Sequence, residues 1–105
     1  MNVISRKLLN DFAKAHTDAR QALFAWYHEA KSATWKTPQD IKNKYASVSF
    51  PKNKKGNRVI FNIKGNKYRL EVSVAYNTGT VLIKTIETHA EYTKRLKKGG
   101  RKNKI

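Results

Sequence analysis

The sequence predicts an α+β domain in which N-terminal helices pack on a small antiparallel sheet and a short helix follows it. Three observations carry this reading. Apolar residues recur at helical spacing before Ser32, they alternate with a period of two between Arg58 and Tyr76, and a helix-start signature stands at Thr88. A chain of 105 residues suffices for one domain with a modest two-layer core. Residues 1–98 form the expected domain, and 99–105 a basic flexible tail.

Val3-Ile4 is too short to assign: it either starts an edge strand or packs ahead of a helix. Ser5 is a suitable N-cap, and Leu8, Leu9 and Phe12 then mark one face of a short amphipathic helix. Thr17-Asp18 offers a second start. From about Ala19 to Ser32, the spacing of Ala19, Ala22, Leu23, Trp26 and Ala30 predicts a second helix. The two form an antiparallel hairpin over one sheet face. Trp26 and Trp35 are read as core or rim residues, with base stacking as the rival role. Thr37-Pro38 opens a third helix, because proline is tolerated at the first helical position. Ile41 and Tyr45 give that helix one apolar edge.

Pro51 to Asn57 is a basic loop carrying Lys54 and Lys55. It is either a solvated turn or a segment that contacts phosphates, since lysines on a loop follow a backbone without reading bases.

Beyond it, Val59, Phe61 and Ile63 alternate with polar or outward residues, as do Tyr68, Leu70, Val72, Val74 and Tyr76. Gly65-Asn66 between the runs suits a two-residue hairpin turn. That turn pairs Ile63 with Tyr68, Phe61 with Leu70 and Val59 with Val72, placing every apolar residue on one face. It also sets Asn62 opposite Arg69 on the other face. A second hairpin with Asn77-Thr78-Gly79-Thr80 as its loop pairs Tyr76 with Val81, Val74 with Ile83 and Val72 with Thr85, and extends to set Arg69 opposite Thr88. Thr88-His89-Ala90-Glu91 then fits a capping box, so His89 opens the last helix with Tyr92 three residues on along the same face. Asn62, Arg69, His89 and Tyr92 are thereby expected to converge at one end of the polar side.

The charge balance is extreme: 23 Lys and Arg against 7 Asp and Glu, a formal net charge of +16. This points to a polyanion, with RNA the first candidate. An anionic membrane surface is the rival, but no segment combines a basic with a strongly apolar face, and mean hydropathy is -0.75. There is no cysteine for a disulfide or thiolate site. No signal peptide or membrane span is legible, which makes cytoplasmic residence the expectation. The basic run from Lys94 to Lys104 is expected to fray after Lys98 and to add affinity that falls with salt.

Most catalytic constellations are missing. There is no glycine-rich phosphate loop and no serine elbow, and the seven acidic residues form no metal cluster. His16 and His28 lie twelve apart without a His-x-x-x-His pair, so no metal ligands are expected and both histidines are read as surface or boundary residues. The remaining set suits phosphate chemistry without a cofactor. RNA carries its own nucleophile, the 2′-hydroxyl, so cleavage needs a base, cations for the pentacoordinate phosphate and an acid for the leaving oxygen. His89 suits the acid or base, Arg69 a bidentate phosphate clamp, Tyr92 a base-stacking or proton-donating role, and Asn62 a hold on Arg69 or the substrate. Each has a plainer reading: His89 completing a cap, Arg69 and Asn62 a cross-strand surface pair, Tyr92 a core residue. A non-catalytic RNA-binding or ribosome-binding module is the alternative function.

The string from Arg58 to Leu70, with Phe61-Asn62-Ile63, Gly65-Asn66 and Tyr68-Arg69-Leu70, closely resembles the HigB family of type II toxins. Thr88-His89-Ala90-Glu91-Tyr92 and Trp35-Lys36-Thr37-Pro38-Gln39-Asp40-Ile41-Lys42 match further family stretches. The resemblance covers most of residues 30 to 95. It implies a RelE-like fold and ribosome-dependent mRNA cleavage without metal. It also implies a toxin monomer held in a heteromeric complex by a HigA-type antitoxin with a helix-turn-helix domain. Asn62, Lys64, Asn66, Lys67, Arg69, His89 and Tyr92 match its motif positions; the resemblance implies catalysis at Arg69, His89 and Tyr92 and phosphate contacts at Lys64 and Lys67. The chain departs from the family pattern at Glu87, where a small residue is commoner, and at Thr93, where an acidic one is.

Overall fold

The computed structural model describes residues 1–51, 57–65 and 67–91. Its elements run β1 (Asn2–Ile4), α1 (Arg6–Ala15), a 3-10 turn (Thr17–Ala19), α2 (Arg20–Ser32), α3 (Pro38–Lys44), β2 (Arg58–Ile63), β3 (Tyr68–Ala75) and β4 (Thr80–Thr88). The strands form one four-stranded sheet in the order β1-β4-β3-β2. The expected antiparallel sheet is therefore mixed, because Val3-Ile4 belongs to an edge strand that runs parallel to β4, with Val3 beside Val81. Three residues alone hold no decisive periodicity.

Ser5 does stand at the N-cap of α1, but in a left-handed conformation with φ 71° and no side-chain cap bond. Leu9 and Ala13 are buried, whereas Leu8 is 45 % exposed and leaves the expected apolar face. In α2, Leu23, Trp26, Tyr27 and Ala30 are buried, with Ala19 just ahead of them at the N-cap. Thr37 caps α3 as expected: its hydroxyl accepts from the Asp40 amide at 3.3 Å and its own amide donates to Asp40 Oδ2 at 3.1 Å. These bonds and one from the Lys36 amide, the strongest influence, hold the Asp40 carboxyl below its ordinary range.

Helix α1 lies against β4 and α2 against β1. Their buried residues join Val59, Phe61, Ile63, Tyr68, Leu70, Val72, Val74, Val81 and Ile83 in one core. Phe61 is its aromatic centre, with Trp26, Trp35 and Tyr45 at ring centroid distances of 5.4, 6.1 and 5.0 Å. Both tryptophans are thus core residues, as the plain reading held. Among the described residues, no helix is long and apolar enough to cross a membrane.

The first hairpin has the expected register throughout, from Ile63 opposite Tyr68 to Val59 opposite Val72. Its turn closes with the Lys67 amide donating to the Lys64 carbonyl at 3.3 Å. Lys64 as well as Gly65 adopts positive φ, 54° and 66°; a lysine there accepts strain that glycine avoids. Asn66 lies outside the described residues.

The second hairpin corrects the expected register. Val74 faces Val81 and Val72 faces Ile83, two residues from the expected pairing. The loop is Tyr76 to Gly79, closed by the Gly79 amide on the Ala75 carbonyl at 2.9 Å, and Gly79 supplies the φ of 68° this turn requires. A slip of two residues preserves the face of every side chain, so the apolar pattern alone did not reveal it. A β-bulge follows, with Lys84 the extra residue between the Val72–Ile83 and Glu71–Thr85 pairs. Arg69 consequently stands opposite Glu87, not Thr88.

Candidate active site on the polar face

Strand alternation sends Asn62, Arg69 and Glu87 to the face away from the core, in one row across β2, β3 and β4. The Arg69 Nη1 donates to Asn62 Oδ1, while Asn62 Nδ2 donates to the Ser47 carbonyl at 3.2 Å. Asn62 thus ties the guanidinium to the segment after α3. That segment borders the sheet, since Ser49 and Ile60 exchange backbone bonds of 2.9 and 2.8 Å.

One rung inward, Glu71 is the buried charge of the molecule's described part, its side chain 5 % exposed. Arg58 Nη1 meets it at 2.6 Å, which satisfies the rule that a buried carboxylate needs a partner. The pair anchors the middle of the polar face, while Arg69 sits nearer its end.

His89 is placed by the backbone. Its amide donates to the Lys67 carbonyl at 2.8 Å, extending the β3–β4 ladder by one more step. The capping box then forms as expected: the Thr88 amide donates to Glu91 Oε1 at 2.9 Å, and the Glu91 amide to the Thr88 hydroxyl at 3.1 Å. Residues 89–91 are helical and exposed. The Thr88 backbone and hydroxyl bonds pull the Glu91 carboxyl below its ordinary range, and the charge of His16 adds to this. The Lys67–His89 and Arg69–Glu87 steps are two residues apart on each strand, about 7 Å along the sheet. Asn62, Arg69 and the start of the His89 helix therefore share one end of the sheet. Tyr92, Lys54, Lys55 and Asn66 lie outside the described residues.

Lys64 and Lys67 are drawn together by a residue the sequence had suggested only as a helix start. Asp18, in the 3-10 turn, accepts from Lys67 Nζ at 2.6 Å and from the Tyr68 hydroxyl at 2.5 Å. Lys64 Nζ donates to its backbone carbonyl at 3.0 Å and stands 3.9 Å from its carboxylate. The bonds from Lys67 and Tyr68 pull the Asp18 carboxyl down to about 2. Reciprocally, Asp18 raises the Lys67 ammonium and the Tyr68 phenol above their ordinary values. His16 is next to this cluster, stacked on Phe12 with centroids 4.2 Å apart and edge-on to Tyr68 at 5.5 Å. Asp18 and His16 lie about fifty residues before Lys67, so no local pattern announced them. Glu87 as Arg69's partner was accessible in principle, because the apolar spacing Val81, Ile83, Ile86 changes from two to three at the bulge.

Among the described residues, no group of three or more His, Cys, Asp or Glu side chains is placed to hold a metal ion. What the site does present is a guanidinium fixed by an amide, two lysines, and a histidine at a helix start, on a chain of net charge +16.

The profile of one protein family matches residues 19–95 of this sequence, and its description is HigB toxin, the RelE-like toxic component of a toxin-antitoxin system. The chain belongs to the HigB toxin family. The matched span contains α2, α3, strands β2 to β4 and every residue of the polar row. Helices beside a four-stranded sheet agree with the RelE-like fold. Membership makes the protein the toxin of a toxin-antitoxin system, which implies an antitoxin partner, and the RelE-like family implies ribonuclease activity in general. No curated protein matches the chain.

Proposed function

We infer that this HigB-family toxin is an mRNA interferase, a ribosome-dependent endonuclease that cleaves message during translation. The observation that carries the reading is the Asn62-held Arg69 at the sheet end where His89 opens a helix. The Arg69 guanidinium has the planar geometry that offers paired N–H donors to the scissile phosphate. As the 2′-oxygen attacks phosphorus, negative charge grows on the equatorial oxygens, and a cation already oriented by Asn62 needs little reorganisation to meet it. His89 transfers a proton, either from the 2′-hydroxyl or to the departing 5′-oxygen. The bonds formed and broken are the 2′-O–P and P–5′-O bonds, leaving a 2′,3′-cyclic phosphate.

Tyr92, three residues after His89 in the sequence, is proposed to stack on or protonate the substrate. Lys54, Lys55, Lys64, Asn66 and Lys67 are proposed to hold neighbouring phosphates and riboses. No cofactor enters this scheme. Contacts with ribosomal RNA follow from the same positive charge, and a HigA-type helix-turn-helix antitoxin is the proposed inhibitor of a monomeric toxin. Work on translating message places it in the cytoplasm.

Primer extension on a defined message in a reconstituted translation system tests this. Wild-type protein should produce new 5′ ends only with translating ribosomes. Arg69→Ala should slow cleavage by about 10²–10³-fold, the usual cost of losing one transition-state donor, and His89→Gln should lower it comparably. An intact message with translation still blocked would establish the alternative, a ribosome-binding inhibitor without catalysis.

A further inference from the structure

The Asp18 cluster goes beyond that scheme. Its donors are two ammonium groups and a phenol hydroxyl, a set suited to an RNA phosphodiester: Lys67 and Tyr68 donate to the Asp18 carboxylate, while Lys64 donates to the Asp18 backbone carbonyl and stands 3.9 Å from the carboxylate. The Asp18, Lys64 and Lys67 side chains are 36, 46 and 60 % exposed, so the cradle opens to solvent, while Tyr68, a core residue, forms its floor. It lies where the turn of the first hairpin meets the 3-10 turn, and Lys67 bonds His89 through its backbone carbonyl. Lys64 holds its half of the cradle from a positive-φ backbone position, which a built arrangement must support.

We propose that Lys64, Lys67 and Tyr68 form a phosphate-binding cradle for RNA, and that Asp18 occupies it in the free toxin as an internal competitor that lowers affinity for unselected RNA. This rests on the reading of the protein as an RNA-acting toxin, and adds Tyr68 and Asp18 to it. The charge arithmetic is simple. Two lysines and one carboxylate leave the cradle at a net +1, whereas two lysines facing an asparagine leave it at +2. An incoming phosphate must displace Asp18, whose carboxyl, held at about 2, stays ionised throughout the physiological range. RNA delivered at high local concentration on the ribosome meets that cost more easily than free RNA does.

The test measures binding of a short single-stranded RNA of mixed sequence, in parallel with cosedimentation on empty ribosomes. Asp18→Asn should tighten oligonucleotide binding about 3- to 10-fold at 0.1 M salt. It should also steepen the dependence of log K on log salt by about 0.7, the increment for one more phosphate contact on a single strand. Adding Lys67→Ala to Asp18→Asn should cancel both effects. A gain confined to the oligonucleotide arm assigns the cradle to message; a gain on ribosomes alone assigns it to ribosomal RNA. Unchanged or weaker binding in both arms by a variant that melts like wild type overturns the proposal. Should Asp18→Asn not fold, the wild-type protein decides: the ¹⁵N signals of the Lys64 and Lys67 ammonium groups should shift as the oligonucleotide saturates, and signals that stay fixed while RNA binds overturn it. Cleavage by wild type together with an inert Asp18→Asn would remove this inference and leave the nuclease reading standing; tighter binding without cleavage would do the reverse.

Discussion

The sheet face beneath the helices is lined by Val59, Phe61, Ile63, Leu70, Val72, Val74, Val81 and Ile83, without a charge among them. The opposite face carries Arg58, Asn62, Arg69, Glu71 and Glu87 on the same three strands. Because side chains alternate, each strand serves both purposes at once, and a residue's parity decides which. The consequence is a separation of roles: stability is concentrated on one face and chemistry on the other. The Arg58–Glu71 pair crosses that division, since it lies on the polar face yet its carboxylate is buried like a core group.

The strongest way to break the apolar face is Phe61→Ala. It removes the ring that Trp26, Trp35 and Tyr45 all touch, at 1 % exposure. Loss of about 3–5 kcal/mol is expected, a large share of the roughly 5–15 kcal/mol that holds a domain of this size. Urea unfolding followed by tryptophan fluorescence measures it. A loss below about 1 kcal/mol would mean that the ring's neighbours collapse into the gap and that the aromatic cluster is not the centre of this face.

Arg58→Ala tests the exception. It strips a partner from a nearly inaccessible Glu71, and about 3 kcal/mol is expected, at the low end for breaking a buried pair because Arg58 itself is 24 % exposed. By contrast, Arg69→Ala, in the candidate site itself, should shift the melting temperature far less while abolishing most cleavage. Equal melting temperatures for Arg58→Ala and wild type would place the whole polar face in the service of function.

This division was legible in the sequence where two independent signals agreed. The Gly65 turn and the apolar alternation of β2 and β3 both fix one register, and Asn62 opposite Arg69 followed from it. The β3–β4 register had only the alternation behind it. A two-residue slip leaves alternation intact, and a one-residue bulge at Lys84 then moved Arg69 from Thr88 to Glu87. The capping box at Thr88 was readable because hydroxyl and carboxylate stand three residues apart in the chain; at Thr37 only the proline start was read, and the folded chain adds the Asp40 half of a second box. Asp18 was not, because its meaning depends on Lys64, Lys67 and Tyr68, which only the folded chain brings to it.

A smaller effect sharpens the comparison from the rim of the apolar face. The Tyr45 hydroxyl donates to Glu29 Oε1 at 2.5 Å while its ring packs on Phe61, and Lys44 stands 3.6 Å from the other oxygen of Glu29. Burial first, and then the bond to Glu29, push the phenol above its ordinary value of 10. A folded-state value above the unfolded one means that the unfolded chain releases this proton first. The stabilisation is therefore complete below pH 10 and is lost as pH rises beyond it. Tyr45→Phe keeps the ring and removes the titration. At neutral pH it should cost about 0.5–1.5 kcal/mol, the net worth of one hydrogen bond; above about pH 10 that difference should shrink, since only wild type is penalised there. Unfolding free energies of the two proteins across this range measure it, and because Tyr68 and Tyr76 are common to both, their titration cancels. Parallel curves would show that Tyr45 ionises alike in both states and owes nothing to Glu29. A gap that closes with rising pH would show that the fold holds the Tyr45 phenol neutral at the edge of the apolar face, through its burial and its bond to Glu29 together.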